Sequence, residues 1–558
     1  MLRALRVFAI TAACFIFCFQ AVAEDWPRFR GAAGAGVSAK AAPTAWSSKA
    51  NLAWKTEMPG PGASSPIIID DKAFVTCYSG YGLSKESPGD KENLVRHLVC
   101  VDMKTGKKLW QKDVKSTGPE DDYTGIGVTA HGYASHTPVS DGKNIYAFFG
   151  KGGVHAFDME GKELWQADVG KETDQTRWGS SSSPIIYKDT VIVTASIESQ
   201  SIVGIDRNSG KERWRQSAKG LDGMWGTPSL VKVDGDRTDV VMCVAKELWG
   251  LDPDTGKMRW YADATGAQHA YTSILHDGKR VFAFTGRGGG SVAVDAGGSG
   301  DISETSTAWT GKDRASFATP VRHKDKIYLV ASGIVTVVDA KTGKRTERMR
   351  LKGLKKTDGQ GSLDYPSPIV VGDHMYYMKG TGQMFVFKLG DELELVSVNE
   401  VTNEKEIFWG SPAASNGQLV IRGHNNLYCV ADKGEEVKKD DNSEASAESV
   451  DPNEEIANGR GRGFNADDAF KRLDKNDDGS VSMEELDGHR MATQLKTLDK
   501  DSDDAISKDE FTSGITSLFS RGGGGGGARR SGGGGGGRPG ARKDARPDRP
   551  QRPAEAGK

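Results

Sequence analysis

Between Leu52 and Val430 short apolar runs rich in Val, Ile, Phe and Tyr alternate with polar turns. Such runs, bounded by Gly, Asp, Asn and Lys, predict β-strands. The strands recur in units. Each unit begins with Ser or Thr, then Pro, then a short apolar strand: Ser65-Pro66, Thr137-Pro138, Ser183-Pro184, Thr227-Pro228, the variant Thr272-Ser273, Thr319-Pro320, Ser367-Pro368 and Ser411-Pro412. Successive units are 72, 46, 44, 45, 47, 48 and 44 residues apart. In the second half of a unit an apolar strand ends in Asp, a turn ends in Gly-Lys, and a last strand often holds Trp. Asp102, Gly106-Lys107 and Trp110 show this order, as do Asp158 to Trp165, Asp206 to Trp214 and Asp252 to Trp260; Asp339 and Gly343-Lys344 lack the Trp. Asp bonds neighbouring amides in such a turn, and Gly supplies the positive φ.

Four short strands repeated eight times predict an all-β fold, an eight-bladed β-propeller of four-stranded blades. One blade is too small to bury both its faces, so neighbours must cover them, with the repeated Trp wedged between blades. The eighth unit, Ser411–Val430, supplies three strands and lacks the Trp strand. Leu52-Ala53-Trp54-Lys55 matches Leu109-Trp110-Gln111-Lys112, so the N-terminal segment is expected to complete the last blade and remove an open edge.

The Asp…Gly-Lys…Leu-Trp units resemble PQQ-type repeats, the blades of quinoprotein dehydrogenases and of the outer-membrane assembly lipoprotein BamB. The opening Asp25-Trp26-Pro27-Arg28-Phe29-Arg30-Gly31 resembles the start of exported PQQ-repeat proteins of planctomycete bacteria. The quinoprotein side of the resemblance implies PQQ with a metal ion, an Asp base and, in many members, a disulfide between adjacent cysteines. This chain has no adjacent cysteines and no Cys-x-x-Cys-His heme motif. Arg177 and Arg314 have the charge to hold PQQ carboxylates and Asp364 that of a base, but each is equally a rim charge. The balance leans against catalysis.

Chain direction places the segments entering the inner strands on one face. They carry His131 and Tyr133, Arg177 and Trp178, Trp225, His269 and Tyr271, Arg314 and Phe317, Asp364 and Tyr365, and Trp409. Converging on the axis, these residues predict an aromatic funnel for a small ligand or peptide; equally, the rings fill the channel and only stabilise it. Two insertions, 79–96 and 116–135, share that face and favour binding.

The 558 residues hold 74 basic and 76 acidic side chains, for a net charge of −2. That near-neutrality hides a division: residues 432–519 sum to −12 and residues 521–558 to +7. At the other end, Arg3 and Arg6, the apolar run Val7–Phe19 and Ala21-Val22-Ala23 predict an export signal over 1–23. Its 13 apolar residues are too few to span a bilayer. A periplasmic or secreted propeller over 24–431 is expected, with no membrane span. Cys77, Cys100, Cys243 and Cys429 remain; Cys77 and Cys100 fall on neighbouring strands, as a cross-strand bridge or as buried thiols.

Residues 432–463 read as an acidic linker and 464–519 as a small helical EF-hand pair. Asp474, Asn476, Asp478, the Ser480 carbonyl, Ser482 and Glu485 fill every ligand position of D-x-[DN]-x-[DN]-G-x5-E, with Gly479 at the turn. A second loop offers Asp499, Asp501, Asp503, the Ala505 carbonyl, Ser507 and Glu510, but Asp504 replaces the turn Gly. Calcium is the expected ion, held more weakly in the second loop, and Val481 and Ile506 are placed to pair the loops. The Gly/Arg/Pro-rich tail, 520–558, is expected to be disordered. The reading favoured is a non-catalytic, calcium-binding module for an envelope protein or polymer, with export arguing against nucleic acid; a PQQ-dependent periplasmic dehydrogenase of alcohols or sugars is the alternative.

Overall fold

The computed structural model describes residues 24–453, 470–513 and 547–550, except 126, 174–177, 268, 287, 356–363, 439–443, 471–472, 475, 477, 487–494 and 502. The expected export signal, Arg177 and most of the tail lie outside the described residues. The chain forms two compact units: residues 1–453 together with 546–558, and residues 454–545.

The first unit is a propeller of eight four-stranded antiparallel blades. Blade 1 is Ile67–Ile69, Lys72–Ser79, Val95–Asp102 and Lys108–Lys115. Blade 8 takes three strands from Ala413–Ser415, Gln418–Arg422 and Asn426–Val430. Its outer strand is Leu52–Glu57, with Trp54 opposite Cys429. The two ends of the propeller sequence are thus joined inside one sheet, as the repeat count implied.

The repeated Trp and Gly act on each other across blade boundaries. The Trp54 indole donates to the Met103 carbonyl at 2.8 Å, Trp110 to Met159 at 3.1 Å, Trp165 to Arg207 at 2.8 Å and Trp309 to Ala340 at 3.0 Å. Each acceptor directly follows the turn Asp of the next blade. A Cβ on Gly106 (φ 72°) would sit 2.6 Å from Trp54, and one on Gly343 (φ 71°) 2.5 Å from Trp309. The turn Gly is therefore required twice, for its backbone conformation and for the ring lying on it.

At the axis the Ser/Thr of each unit forms a closed circle. The backbone N–H of Ser65 donates to Thr137 Oγ1, Thr137 to Ser183, Ser183 to Thr227, and Thr227 to Ser273. Ser273 then donates to Thr319, Thr319 to Ser367, Ser367 to Ser411, and Ser411 back to Ser65. All eight bonds are 2.9–3.0 Å long and buried. The variant Thr272-Ser273 keeps the circle through Ser273.

The N-terminal segment seals one end of the channel. Arg28 donates to the Pro228 carbonyl, and Arg30 to the carbonyls of Thr319, Pro320 and Pro368. Burial lowers both guanidinium pKa values, to about 10 and about 9, and both stay cationic at neutral pH. The Asp25–Gly31 motif is thus a plug made by carbonyl bonding across three blades.

Two expectations change, and one open alternative is decided. Part of the acidic linker is sheet: Ser446–Val450 pairs antiparallel with the eight-residue outer strand Arg345–Lys352 of blade 6. Ala445 and Ala447 pack on the cluster holding Met349 and Leu351, and Glu448 pairs with Lys352; a polar, charged sequence suits such an edge position. Cys77 and Cys100 are free, as are Cys243 and Cys429, and all are buried. Cys77 lies opposite His97, three residues from Cys100, so the two thiols point to opposite faces of blade 1. Finally, Pro547–Pro550 of the tail belongs to the propeller unit.

The circle gives a direct test. Thr137→Val keeps shape and volume but strands the buried Ser65 N–H, and should lower unfolding free energy by about 1–3 kcal/mol in urea titrations. Thr137→Ser, which restores the oxygen, should recover most of that loss.

Candidate ligand funnel and acidic loops

The extended segment entering each blade presents alternate residues to the axis. The circle residues face it, and so do the residues two places before them: Ala63, Ser135, Ser181, Trp225, Tyr271, Phe317, Tyr365 and Trp409. Blades 4 to 8 therefore carry aromatics, and blades 1 to 3 carry small side chains. His131 and Trp178 reach into the space the small residues leave, and Phe29 of the plug also lines the cavity, of about 150 Å³.

The rings form a nearly continuous belt. Centroid separations are 5.2 Å for Trp225–Tyr271, 5.1 Å for Tyr271–Phe317, 4.6 Å for Phe317–Tyr365 and 4.5 Å for Tyr365–Trp409. Trp178 packs against it, 6.3 Å from Trp225 and 6.4 Å from Phe317. Much of the axis is filled by this packing, which is worth about 0.5–1.5 kcal/mol per pair beyond area burial. Two polar atoms in the belt, Tyr365 Oη and Trp409 Nε1, are buried with no hydrogen-bond partner among the described residues. Burial pushes the Tyr365 phenol up to about 12, so the hydroxyl keeps its proton and can donate.

Seven of the eleven funnel candidates line this cavity: His131, Trp178, Trp225, Tyr271, Phe317, Tyr365 and Trp409. His269 is exposed and does not line the cavity; its ring lies 5.8 Å from Trp225 at a tilt of 59°. Tyr133 turns away to pack with Tyr78 of blade 1 and with Tyr81 and Tyr123 of the two insertions, its hydroxyl donating to the Asp121 carbonyl. Arg314 is half-buried and does not line the cavity; Arg177 lies outside the described residues. Asp364 is 5% exposed and fully engaged: it accepts from Lys379 Nζ at 2.6 Å, from the Ser332 N–H at 2.6 Å and from the Tyr377 hydroxyl. Asp364 does not line the cavity.

A polar pocket beside the belt was not visible in the sequence. It shares His131 and Ser135 with the cavity and adds His136, Ser180, Glu198 and Lys151. Ser180 Oγ lies 3.0 Å from His136 Nε2 and donates to Glu198. His136 Nδ1 and Glu198 Oε2 are buried without hydrogen-bond partners among the described residues. Burial pushes His136 down to about 3 and Glu198 up, so both tend to be neutral. His136 adjoins the repeat's Thr137-Pro138, which was a local signal, but nothing in the spacing links it to Glu198. Nearby, Arg96 and Glu120 form a buried two-bond pair at 2.8 and 2.7 Å, and Lys151 pairs with Asp121 at 2.8 Å.

In the second unit the two acidic loops are joined by a short antiparallel pair, Ser480–Ser482 with Ala505–Ser507, Val481 facing Ile506. Phe470, Leu473, Leu486, Leu495, Leu498 and Phe511 bury those two side chains. Asp474 accepts from the Asp478 and Gly479 amides, and Glu485 folds back onto Asn476 and Ser482. In the second loop Glu510 folds onto Lys500 and Ser507 in the same way. Asp504 takes φ 65° where the first loop has Gly479 at 86°, so it carries strain that Gly avoids. The carboxylates of Asp499, Asp501 and Asp503 offer oxygens within 4.8 Å of one another.

Comparison with known proteins resolves the family. The model described as outer membrane protein assembly factor BamB (PQQ_2) matches residues 35–196 and 198–450. The chain belongs to this family. The match includes the strand Ser446–Val450, in keeping with its place in blade 6. Solved structures similar to this PQQ_2 chain include BamB from Moraxella catarrhalis, 15% identical over 69% of this chain and 99% of that one, with a TM-score of 0.49. A europium-containing methanol dehydrogenase is 13% identical over 72% and 90%, TM-score 0.47. A quinohemoprotein alcohol dehydrogenase from Pseudomonas putida HK5 is 11% identical over 75% and 81%, TM-score 0.47. No curated protein matches. Among the described residues no helix is long and apolar enough to cross a membrane.

The pocket predicts opposite pH responses. With its pKa lowered on folding, His136 contributes stability that is present above about pH 6.5 and lost as pH falls toward 3. Glu198, raised on folding, contributes stability present below its ordinary 4.5 and lost as pH rises. Between pH 6.5 and 4.5, His136→Gln should make the melting temperature less sensitive to acid than wild type, and Glu198→Gln more sensitive.

Proposed function

We infer that this PQQ_2 propeller is a non-catalytic binding module exported to the cell envelope, taking an uncharged portion of a protein or polymer ligand at its aromatic cavity. The observation that carries the reading is the pair of buried groups without a hydrogen-bond partner among the described residues, Tyr365 Oη and Trp409 Nε1, in an uncharged wall of aromatic rings and Ser/Thr side chains. Both suit a neutral acceptor such as a peptide carbonyl or a sugar hydroxyl. The insertions beside blades 1 and 2 enlarge that face on the side where the lining residues are small.

Pyrroloquinoline quinone fits this wall poorly. It is a tricarboxylate, and no Asp, Glu, Lys or Arg lines the cavity among the described residues. Asp364, the one candidate base, is bound to Lys379 away from it. With PQQ and calcium added, the full-length protein should retain no quinone and reduce no dye with alcohols or sugars; turnover would restore the dehydrogenase reading. Immobilised protein should retain a ligand from envelope extract that Tyr365→Ala and Trp409→Ala release. Equal retention by these variants would place the binding elsewhere.

The second unit is proposed to hold calcium at Asp474, Asn476, Asp478, Ser480, Ser482 and Glu485, and more weakly at the loop from Asp499 to Glu510. Six oxygens per loop suit a hard cation, and the Asp499, Asp501 and Asp503 cluster supports it. Calorimetric titration of the full chain should show two binding events. Glu485→Gln should remove the tighter and leave the weaker; an absence of heat in wild type at millimolar calcium would refute the assignment.

A further inference from the structure

The third strand of blade 4, Glu247–Leu251, begins with a carboxylate that is 1% exposed. Burying an ionised carboxylate costs several kcal/mol unless a cation and further donors meet it. Trp249, two residues on and on the same face, donates its indole N–H to Glu247 Oε2 at 2.8 Å. The cation comes from the far end of the chain. Arg549 donates Nε to Oε2 at 2.8 Å and Nη2 to Oε1 at 2.5 Å. This is the fork geometry that only a guanidinium offers. Arg549 is the one cation paired with Glu247 among the described residues.

Three further contacts make this a shaped site rather than one ion pair. The guanidinium carbon lies 3.4 Å from the ring centre of Tyr261, which faces Trp249 across the blade. The Gly220 N–H donates to the Asp548 carbonyl at 3.0 Å. A Cβ on Gly220 would fall 2.6 Å from that carbonyl and 2.8 Å from Pro547, so the tail backbone lies directly on the glycine. Pro550, on the other side of Arg549, is buried. Prolines on both flanks hold the segment extended before it binds and reduce the entropy lost on docking. The Asp548 side chain is exposed, so the site reads arginine and proline and leaves that position free.

The geometry points to a peptide-binding socket on blade 4, formed by Glu247, Trp249, Tyr261 and Gly220, that takes an extended proline-flanked arginine and is filled in cis by Pro547–Pro550. The tail repeats the ligand: Arg-Pro occurs at 538–539, 546–547, 549–550 and 552–553. The socket lies in the boundary between blades 3 and 4, where Trp214, Leu221, Trp249 and Tyr261 share one apolar cluster, and is independent of the aromatic cavity.

The test uses the full-length chain with Arg546, Arg549 and Arg552 all changed to Ala, which stops a neighbouring Arg-Pro from replacing the native one. A synthetic peptide of residues 545–554 should bind this variant by calorimetry at least tenfold more tightly than wild type, whose socket is filled. Adding Glu247→Gln, which keeps a partner for the Trp249 indole, should weaken the peptide at least tenfold. Hydrogen exchange at 219–221 should be at least tenfold faster in the triple variant and slow again when peptide is added. Peptide binding that ignores Glu247, or unchanged exchange at 219–221, would overturn the socket. Dimers of wild type that grow with concentration and vanish in the triple variant would overturn its filling in cis.

Discussion

Eight hydroxyl-to-amide bonds around the axis are the constraint to which the rest of the propeller answers. Each blade enters its inner strand through a Ser or Thr whose oxygen accepts from the amide of the blade before, so each blade is held by both neighbours at its innermost point. The Pro that follows has no N–H to satisfy and fixes the backbone angle at which the strand leaves the axis. A ring that failed to close would leave a donor and an acceptor unpaired in a buried site, a penalty of about 1–3 kcal/mol for each group. The plug depends on the same geometry, because Arg30 binds carbonyls that the circle places side by side.

That circle also fixes what the centre can bind. Since alternate residues of an extended segment face the same way, the position two before each circle residue must face the axis. Aromatics at five of these positions and Ala or Ser at three give an off-centre cavity, walled by rings on blades 4 to 8 and entered by His131 and Trp178. The hydroxyls of the circle each accept one of these bonds, and the Tyr365 hydroxyl and Trp409 indole N–H add two donors with no hydrogen-bond partner among the described residues. Polar groups are gathered beside this wall. His136, Ser180 and Glu198 hold their polar atoms in an adjoining pocket, where burial favours the neutral forms of His136 and Glu198.

Farther from the axis, a different contact sets the spacing of the blades. The indole of one blade bonds the carbonyl after the next blade's turn Asp and lies on that turn's Gly. Asp, Gly and Trp thus act in two neighbouring blades at once, and their spacing survives as a repeat. The tail socket uses an ordinary blade face, on which Glu247 and Trp249 are two residues apart and Tyr261 is opposite. Such a face carries no repeat signature, because it occurs on one blade only.

The order of residues alone determined the eight units, the strand that closes the ring and the positions of the acidic loops, because each rests on local spacing: Ser/Thr-Pro every forty-odd residues, Trp54 in the place of a repeat Trp, Asp474 to Glu485 in ligand order. It also marked most of the aromatic belt, since those residues stand two places before a recognisable landmark. Only the tertiary structure decided that Tyr133 packs with the insertions, that Lys379 neutralises Asp364, that 446–450 extends blade 6, and that Arg549 meets Glu247 across 302 residues of chain. Each of these joins groups with no common period. Their partners are chosen by burial and by the need to pair a charge or an open sheet edge, and both appear only when the blades are assembled.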